Sequence, residues 1–331
     1  MYHPRFKGSH YDIGLKFGQR LKKEKINFDA LVHLNAFQQE HGRSSERILQ
    51  AVFPEVCEEI RGLTDGLGYS YEKFATWLLC MGCCYDPAGC TIFCFSHNGS
   101  VYLGRNNDLP PFLKAHSKSI LYRLESGSNF IGNTSSMVHF EEGLNQHSLA
   151  VAMEFMMPTK ILPGINSVFI VRYLLEKCAS AGEALIFLQD LPIASDCSII
   201  LADPTGEMCV AECTPDRVHV RWPAAGEPFI VAANHFVAEE MRALNSNSLH
   251  SSRQRYQTAY DALKDMHVAD GVRYAQEILG GQHGFMCQHH PSLNFETIWS
   301  SVFDVTHKRI YRAEGDPRRV EFREDMRSRF I

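Results

Sequence analysis

The spacing of apolar and polar positions changes once along this chain, near residue 90. Ahead of that point apolar residues recur at intervals of three and four, the spacing of an amphipathic helix. Leu15, Leu21, Phe28, Leu31 and Leu34 mark one side of a helical stretch over 13–39. A second covers 45–63 with an interruption near Pro54, and a third over 70–83 carries Phe74, Trp77 and Leu78 behind a polar start. Each has an apolar face that needs a partner. Beyond residue 90, short runs rich in β-branched and aromatic residues predict strands over 91–95, 101–104, 119–124, 149–155, 198–202, 207–212, 218–221 and 229–233, several joined by Asn-Gly or Thr-Gly turns. Helical spacing returns over 167–178, 181–189, 252–263 and 268–279. Strands in runs, with helices inserted but not strictly alternating, predict an α+β fold of stacked antiparallel sheets covered by helices.

Composition narrows the class without deciding it. A chain of 331 residues, 45% of them hydrophobic, can bury one large core, and no Pro-, Gly- or Ser-rich linker divides it. The net charge of -5 leaves no electrostatic footprint for nucleic acid. Arg318, Arg319, Arg323, Arg327 and Arg329 are interleaved with Glu321, Glu324 and Asp325, the pattern of a solvated C-terminal segment. Met1 to Lys7 leads into polar residues with no signal-peptide core, and no apolar run approaches the roughly 20 residues that span a bilayer. A cytoplasmic protein is expected, with neither membrane nor nucleic acid as partner; a homo-oligomer is compatible with the sequence. Eleven cysteines, an odd number over a long chain, fit reduced and mostly buried thiols. On that reading Asn98-Gly99-Ser100 and Asn133-Thr134-Ser135 are turns, not glycosylation sites. Cys80 and Cys83 offer one C-x-x-C at a buried helix end, whereas a structural zinc site usually takes a second pair. No metal and no cofactor are expected.

The candidate chemistry lies at the change of rhythm. Asp86-Pro87-Ala88-Gly89-Cys90-Thr91-Ile92-Phe93 is followed by Gly104-Arg105-Asn106-Asn107-Asp108. Taken singly these residues have ordinary readings: Cys90 a buried thiol opening a core strand, Asp108 a turn residue before Leu109-Pro110-Pro111, Asn234 a strand end, Arg253 a solvated helix residue. Taken together they suit a cysteine made into a new N-terminus. A free thiol has a pKa of about 8.5 and needs a base. Cutting the Gly89–Cys90 bond would place an α-amino group, pKa roughly 7.7 to 8.0, beside the sulfur as that base. Gly89 tolerates the distorted peptide that such a cut requires.

These motifs resemble the acyl-coenzyme A:6-aminopenicillanic acid acyltransferase family, a branch of the N-terminal-nucleophile hydrolases related to choloylglycine hydrolases and penicillin V acylases. The resemblance extends over nearly the whole chain, from Phe6-Lys7-Gly8 through Gly14 and Gly18, glycines recurring ahead of a helix, to Thr297–Val305 and Arg312–Pro317, similar to the family's closing strand pair. It implies a four-layer αββα sandwich, self-cleavage before Cys90, a helical pro-segment (1–89) that stays associated as the α chain, and a catalytic β chain (90–331). It implies Cys90 as nucleophile, Asp108 holding the new amine, Arg105 beside the sulfur, Asn234 as an oxyanion donor, and Arg253 of the Ser252-Arg253 pair as an active-site arginine. Glu154 stands where related hydrolases carry a second asparagine, so the second oxyanion donor is expected to be a backbone N–H; Glu154 and His235 fall at the substrate pocket. The expected substrate is a small linear amide such as an N-acyl amino acid, with acyl transfer from a thioester or amide donor to an amine as the alternative. A Cys90 protease using His235 or His289 and a non-catalytic binding protein are the remaining readings, both with an uncut chain.

Overall fold

The N-terminal helical stretch divides where asparagines cap it. The structure, a computed structural model, describes residues 1–84, 89–246, 251–290 and 294–331. Helix α1 (His10–Lys23) ends before Lys25, whose φ is 53°. Asn27 and Asn35 then cap α2 (Phe28–Leu31) and α3 (Ala36–Val52), each side chain accepting from the backbone N–H three residues on. Helix α4 (Pro54–Leu67) opens on its proline and closes on Gly68, with φ of 73°. Ser70 caps α5 (Tyr71–Cys80). The stretch read as one helix over 13–39 is therefore two helices and the start of a third. Nor is the segment ahead of residue 90 wholly helical, because Arg5–Gly8 form strand β1.

Two sheets carry the rest. The first runs β1, β4 (Lys118–Leu124), β5 (Phe130–Thr134), β6 (Glu142–Asn145), β7 (Ala150–Phe155), β8 (Cys197–Ala202), β9 (Met208–Thr214), β10 (Arg217–Arg221), with β1 parallel to β4 and the others antiparallel. The second runs β11 (Phe229–Ala233), β2 (Gly89–His97), β3 (Ser100–Leu109), β13 (Phe295–Asp304), β14 (Arg309–Ala313), β15 (Arg323–Glu324), with β12 (His289–His290) beside β13. Helices α6 (Ser167–Lys177) and α7 (Ala181–Asp190) join the N-terminal helices outside the first sheet; α8 (Ser252–Lys264) and α9 (Gly271–Leu279) cover the second. Three cores separate the layers. Phe17, Ile60 and Phe169 pack on Val151 and Met153 of the first sheet. Ile92, Cys94 and Leu103 meet Leu121, Ile131 and Ile200 between the sheets. Phe93 and Phe95 face Ala259, Leu263 and Ile278. Strand β2 is buried on both faces, which is why its sequence reads as a continuous apolar run. This is the αββα sandwich.

The helix layer is held closely. Gly14 and Gly18 lie inside α1, not ahead of it, and interlock with Gly62 and Gly66 of α4: a Cβ at Gly14 or Gly18 would come within 2.0 Å of the Glu59 or Leu63 carbonyl oxygen. A buried ionic cluster links this layer to the sheet. Arg172 of α6 meets Glu59 of α4 at 2.7 Å and also pairs with Glu176, which contacts His10 at 2.9 Å, while Tyr122 of β4 donates to Glu59.

Two expectations fail, and two strands go unread, for one reason, that polar side chains here are buried with partners. Asn133 is a β5 strand residue, not a turn residue, and donates to Ser301 Oγ at 3.1 Å. Arg327 is buried, donating to the Ser119 carbonyl at 2.8 Å and to Asp325, so the C-terminal segment is anchored and not simply solvated. Strands β5 and β6 carry Asn133 and Glu142 inward, which hides them from an apolar count. No helix among the described residues is long and apolar enough to cross a membrane.

Candidate active site

Strands β2 and β3 form a hairpin closed by Asn98 and Gly99, both at positive φ (50° and 76°), as a two-residue turn matched to strand twist requires. The register sets Gly89 opposite Asp108, Cys90 opposite Asn107 and Ile92 opposite Arg105. Opposed residues share a face, so Cys90, Asn107 and Arg105 face the first sheet, and Gly89, Thr91 and Asp108 face the α8 layer.

Between the sheets, Arg105 Nη2 donates to Cys90 Sγ at 3.0 Å and to the Met153 carbonyl at 3.2 Å, while Nη1 lies 3.3 Å from Glu142 Oε2. The thiol donates to Asn107 Oδ1 at 3.1 Å, and Asn107 Nδ2 donates to Glu141 Oε2 at 2.8 Å. Glu142 Oε1 accepts from Trp299 Nε1 at 3.0 Å and Ser301 Oγ at 2.6 Å. Burial pushes the Cys90 thiol pKa well up, and the nearby Arg105 charge is the largest opposing influence.

Strand β11 flanks β2 on its other side and delivers Asn234 at its end. Asn234 Oδ1 accepts from the Cys90 backbone N–H and from Arg255 Nη2, each at 2.8 Å. Its Nδ2 donates to the Phe155 carbonyl at 2.8 Å and to Glu154 Oε2 at 3.1 Å. Arg255 Nη1 donates to the Cys90 carbonyl and to Thr91 Oγ1, and lies 3.9 Å from Asp108 Oδ2. Asp108 Oδ1 accepts from Thr297, and Oδ2 has no hydrogen-bond donor among the described residues. Burial raises the Asp108 pKa to about 6 against the Arg255 charge, and the Glu154 pKa to about 8 against Arg105 and Arg255.

Of the residues expected here, Cys90, Arg105 and Asn234 meet directly, Glu154 joins them through Asn234, and Asp108 lies across from Gly89. In the uncut chain Asp108 does not hold the Cys90 nitrogen, which is bonded to Asn234. Arg253 departs from expectation. It is exposed, and the arginine at Cys90 is Arg255, because two residues advance a helix by about 200° and put the two side chains on opposite faces. His235 and Arg253 line a separate cleft of about 420 Å³ with Tyr256 and Arg242. His235 Nδ1 lies 2.7 Å from Ser252 Oγ, and burial, with the Arg253 and Arg255 charges behind it, lowers its pKa to about 4. His289 lies 3.8 Å from Glu296. The Cys90 sulfur bonds Arg105 and Asn107 and neither of these histidines, which disfavours a Cys-His pair. Gly89 is extended, so its role is space and not a special φ: a Cβ would come 2.7 Å from Phe295 Cζ and 3.4 Å from Asp108 Cβ. Asp86, Pro87 and Ala88 of the motif lie outside the described residues.

Sequence reasoning missed Arg255, Asn107, Glu141, Glu142 and Thr297. A signal existed for Arg255: it shares a helical face with Ser252, Ala259 and Ala262, all buried. Thr297 is placed by cross-strand register with Asp108, which no local pattern encodes.

A family model described as acyl-coenzyme A:6-aminopenicillanic acid acyl-transferase matches residues 94–319. The match takes in Arg105, Asp108, Asn234 and Arg255 and begins just after Cys90. Among solved structures, a variant of conjugated bile acid hydrolase from Clostridium perfringens is 12% identical over 72% of this chain and 93% of its own, with a TM-score of 0.51. Penicillin V acylase from Agrobacterium tumefaciens is 14% identical over 68% and 82%, with a TM-score of 0.49. The bile acid hydrolase likeness is one of fold. No curated protein matches the chain.

Proposed function

The chain belongs to the acyl-coenzyme A:6-aminopenicillanic acid acyl-transferase family, and from that premise we propose that it is a self-cleaving N-terminal-nucleophile amidohydrolase, with Cys90 as nucleophile and a linear, non-peptide amide such as an N-acyl amino acid as substrate. The observation that carries this reading is the double hold on Cys90: its sulfur on Arg105 and its backbone nitrogen on Asn234, both in a fully buried polar site at a strand start.

In maturation the Cys90 sulfur attacks the Gly89 carbonyl, the C–N bond breaks as the C–S bond forms, and the nitrogen takes up the thiol proton. Water then hydrolyses the thioester, giving a Gly89 carboxylate and a Cys90 with free thiol and amine. The amide nitrogen of the uncut chain is not a base; the amine is. An ammonium there brings more donors than the single amide N–H, and Asp108 Oδ2, without a donor among the described residues, is an acceptor on the neighbouring strand opposite Gly89. In turnover the amine takes the thiol proton, the sulfur attacks the substrate carbonyl, and the proton passes to the leaving amine. Asn234 can donate to the oxyanion by releasing Glu154 or the Phe155 carbonyl, one such donor being worth roughly 3 to 4 kcal/mol of barrier. Arg105 steadies the sulfur, and Arg255 orients the Cys90 backbone. The family's name favours a second outcome of the same acyl-enzyme, transfer to an amine in place of water.

Intact-mass spectrometry under denaturing conditions tests the assignment. Wild type is expected to give two chains meeting between Gly89 and Cys90, and Cys90→Ala a single chain. A single wild-type chain that still hydrolyses amides would remove the proposed base and with it the mechanism. Added hydroxylamine or glycine, compared with water, separates transfer from hydrolysis.

A further inference from the structure

A second cluster of reactive side chains lies in the helix layer, away from the Cys90 hydrogen-bond network. Helix α5 ends at Cys80, and the chain turns so that Cys83 and Cys84 approach His41, in the second turn of α3. Cys83 Sγ is 3.5 Å from His41 Nε2 and 3.6 Å from Cys84 Sγ, and the three atoms all lie within 4.8 Å of one another. Ligands around tetrahedral zinc, with Zn–S of about 2.3 Å and Zn–N of about 2.0 to 2.1 Å, stand about 3.8 Å apart for two sulfurs and about 3.6 Å for nitrogen and sulfur. The Cys83–His41 and Cys83–Cys84 separations are close to these edges.

The surroundings suit a metal better than a plain hydrogen-bonded group. Among the described residues, His41 Nε2 has two long contacts, Cys83 Sγ and Ser45 Oγ, each at 3.5 Å. His41 and Cys83 are buried, whereas Cys84 is partly exposed and gives an ion a path from solvent. Two thiolates cancel the charge of a divalent ion, so the buried site would be neutral, and one imidazole with two sulfurs is a donor set for zinc. Cys80 is turned to the Gln38 carbonyl at 3.4 Å, which leaves three protein ligands.

We propose that His41, Cys83 and Cys84 bind one zinc ion, pinning the chain just ahead of residues 85–88 to α3. The site is independent of the Cys90 chemistry. Full-length protein purified without chelator is expected to contain one zinc per chain by elemental analysis. After zinc removal, Co²⁺ should give a thiolate-to-cobalt charge-transfer band that saturates at one equivalent. Cys83→Ser and Cys84→Ser should each weaken binding at least tenfold and reduce that band, His41→Ala should weaken binding while retaining it, and Cys90→Ala should leave both metal content and spectrum unchanged. A zinc content near zero with no Co²⁺ band, binding that persists in a folded Cys83→Ser/Cys84→Ser variant, or a Cys83–Cys84 disulfide in the native protein would overturn the assignment. Should the double variant fail to fold, the wild-type stoichiometry and Co²⁺ spectrum decide.

Discussion

Arg253 and Arg255 are two positions apart in sequence and on opposite sides of α8. Replacing Arg255 by Ala removes the group that bonds both the Cys90 carbonyl and Asn234, and is expected to slow cleavage or turnover by about 100-fold, the scale of a lost oriented donor; Arg253→Ala should stay within about twofold. Cleavage followed by mass and kcat/KM on an amide substrate separate the two. Glu154 carries a pH signature. With a folded pKa of about 8, above the roughly 4.3 of an unfolded Glu, it binds its proton more tightly in the folded state, so its contribution to stability is complete at low pH and is lost as pH rises through 8. Glu154→Gln should therefore gain Tm relative to wild type between pH 6 and pH 9, read by thermal unfolding at both. Cys90, Arg105 and Asp108 stand in two adjacent runs of sequence that carry the family resemblance, and Asn234 was singled out by that resemblance, since its local pattern is only that of a strand end. Thr297, Glu141 and His41 were not, since only the folded chain brings them to their partners.

At the scale of elements, local pattern found what packs through apolar side chains and missed what packs otherwise. Strands β2, β8 and β11 read clearly; β5 and β6, with glycines and inward polar groups, did not. The α1–α4 pair is the sharpest case. Its glycines weaken both helices by propensity, and Gly18→Ala would gain about 1 kcal/mol on that ground alone. The added methyl, however, would fall 2.0 Å from the Leu63 carbonyl oxygen, in backbone with little room to yield. Overpacking of this kind typically costs about 1 to 3 kcal/mol and should prevail, so Gly18→Ala is expected to lower Tm by a few degrees. Gly99, with no atom of the described residues within 4 Å of its would-be Cβ, is a contrasting site where the positive φ is what opposes substitution.

At the scale of the molecule, the segment ahead of Cys90 contributes one strand to the first sheet, much of its outer core and, in Glu59 and His10, two members of the Arg172 cluster. If the chain is cut as proposed, the two pieces should elute together at full mass in native size exclusion and separate only in denaturant. Glu59→Ala should weaken that hold by about 3 to 5 kcal/mol, because it leaves buried Arg172 short of a partner; dissociation at lower urea would report it. The hairpin between β2 and β3 has a further bearing on what changes the whole can absorb. Its two-residue turn lies at the opposite end of the ladder from Cys90, yet it decides which side chains face the sulfur. One residue inserted there would turn over every β3 side chain beyond it, sending Arg105 and Asn107 toward the helices and Asn106 and Asp108 between the sheets. Length is thus a stricter constraint on this turn than composition: descendants of this chain can vary its residues and still react, but those that gain or lose one would keep a sheet and lose the chemistry.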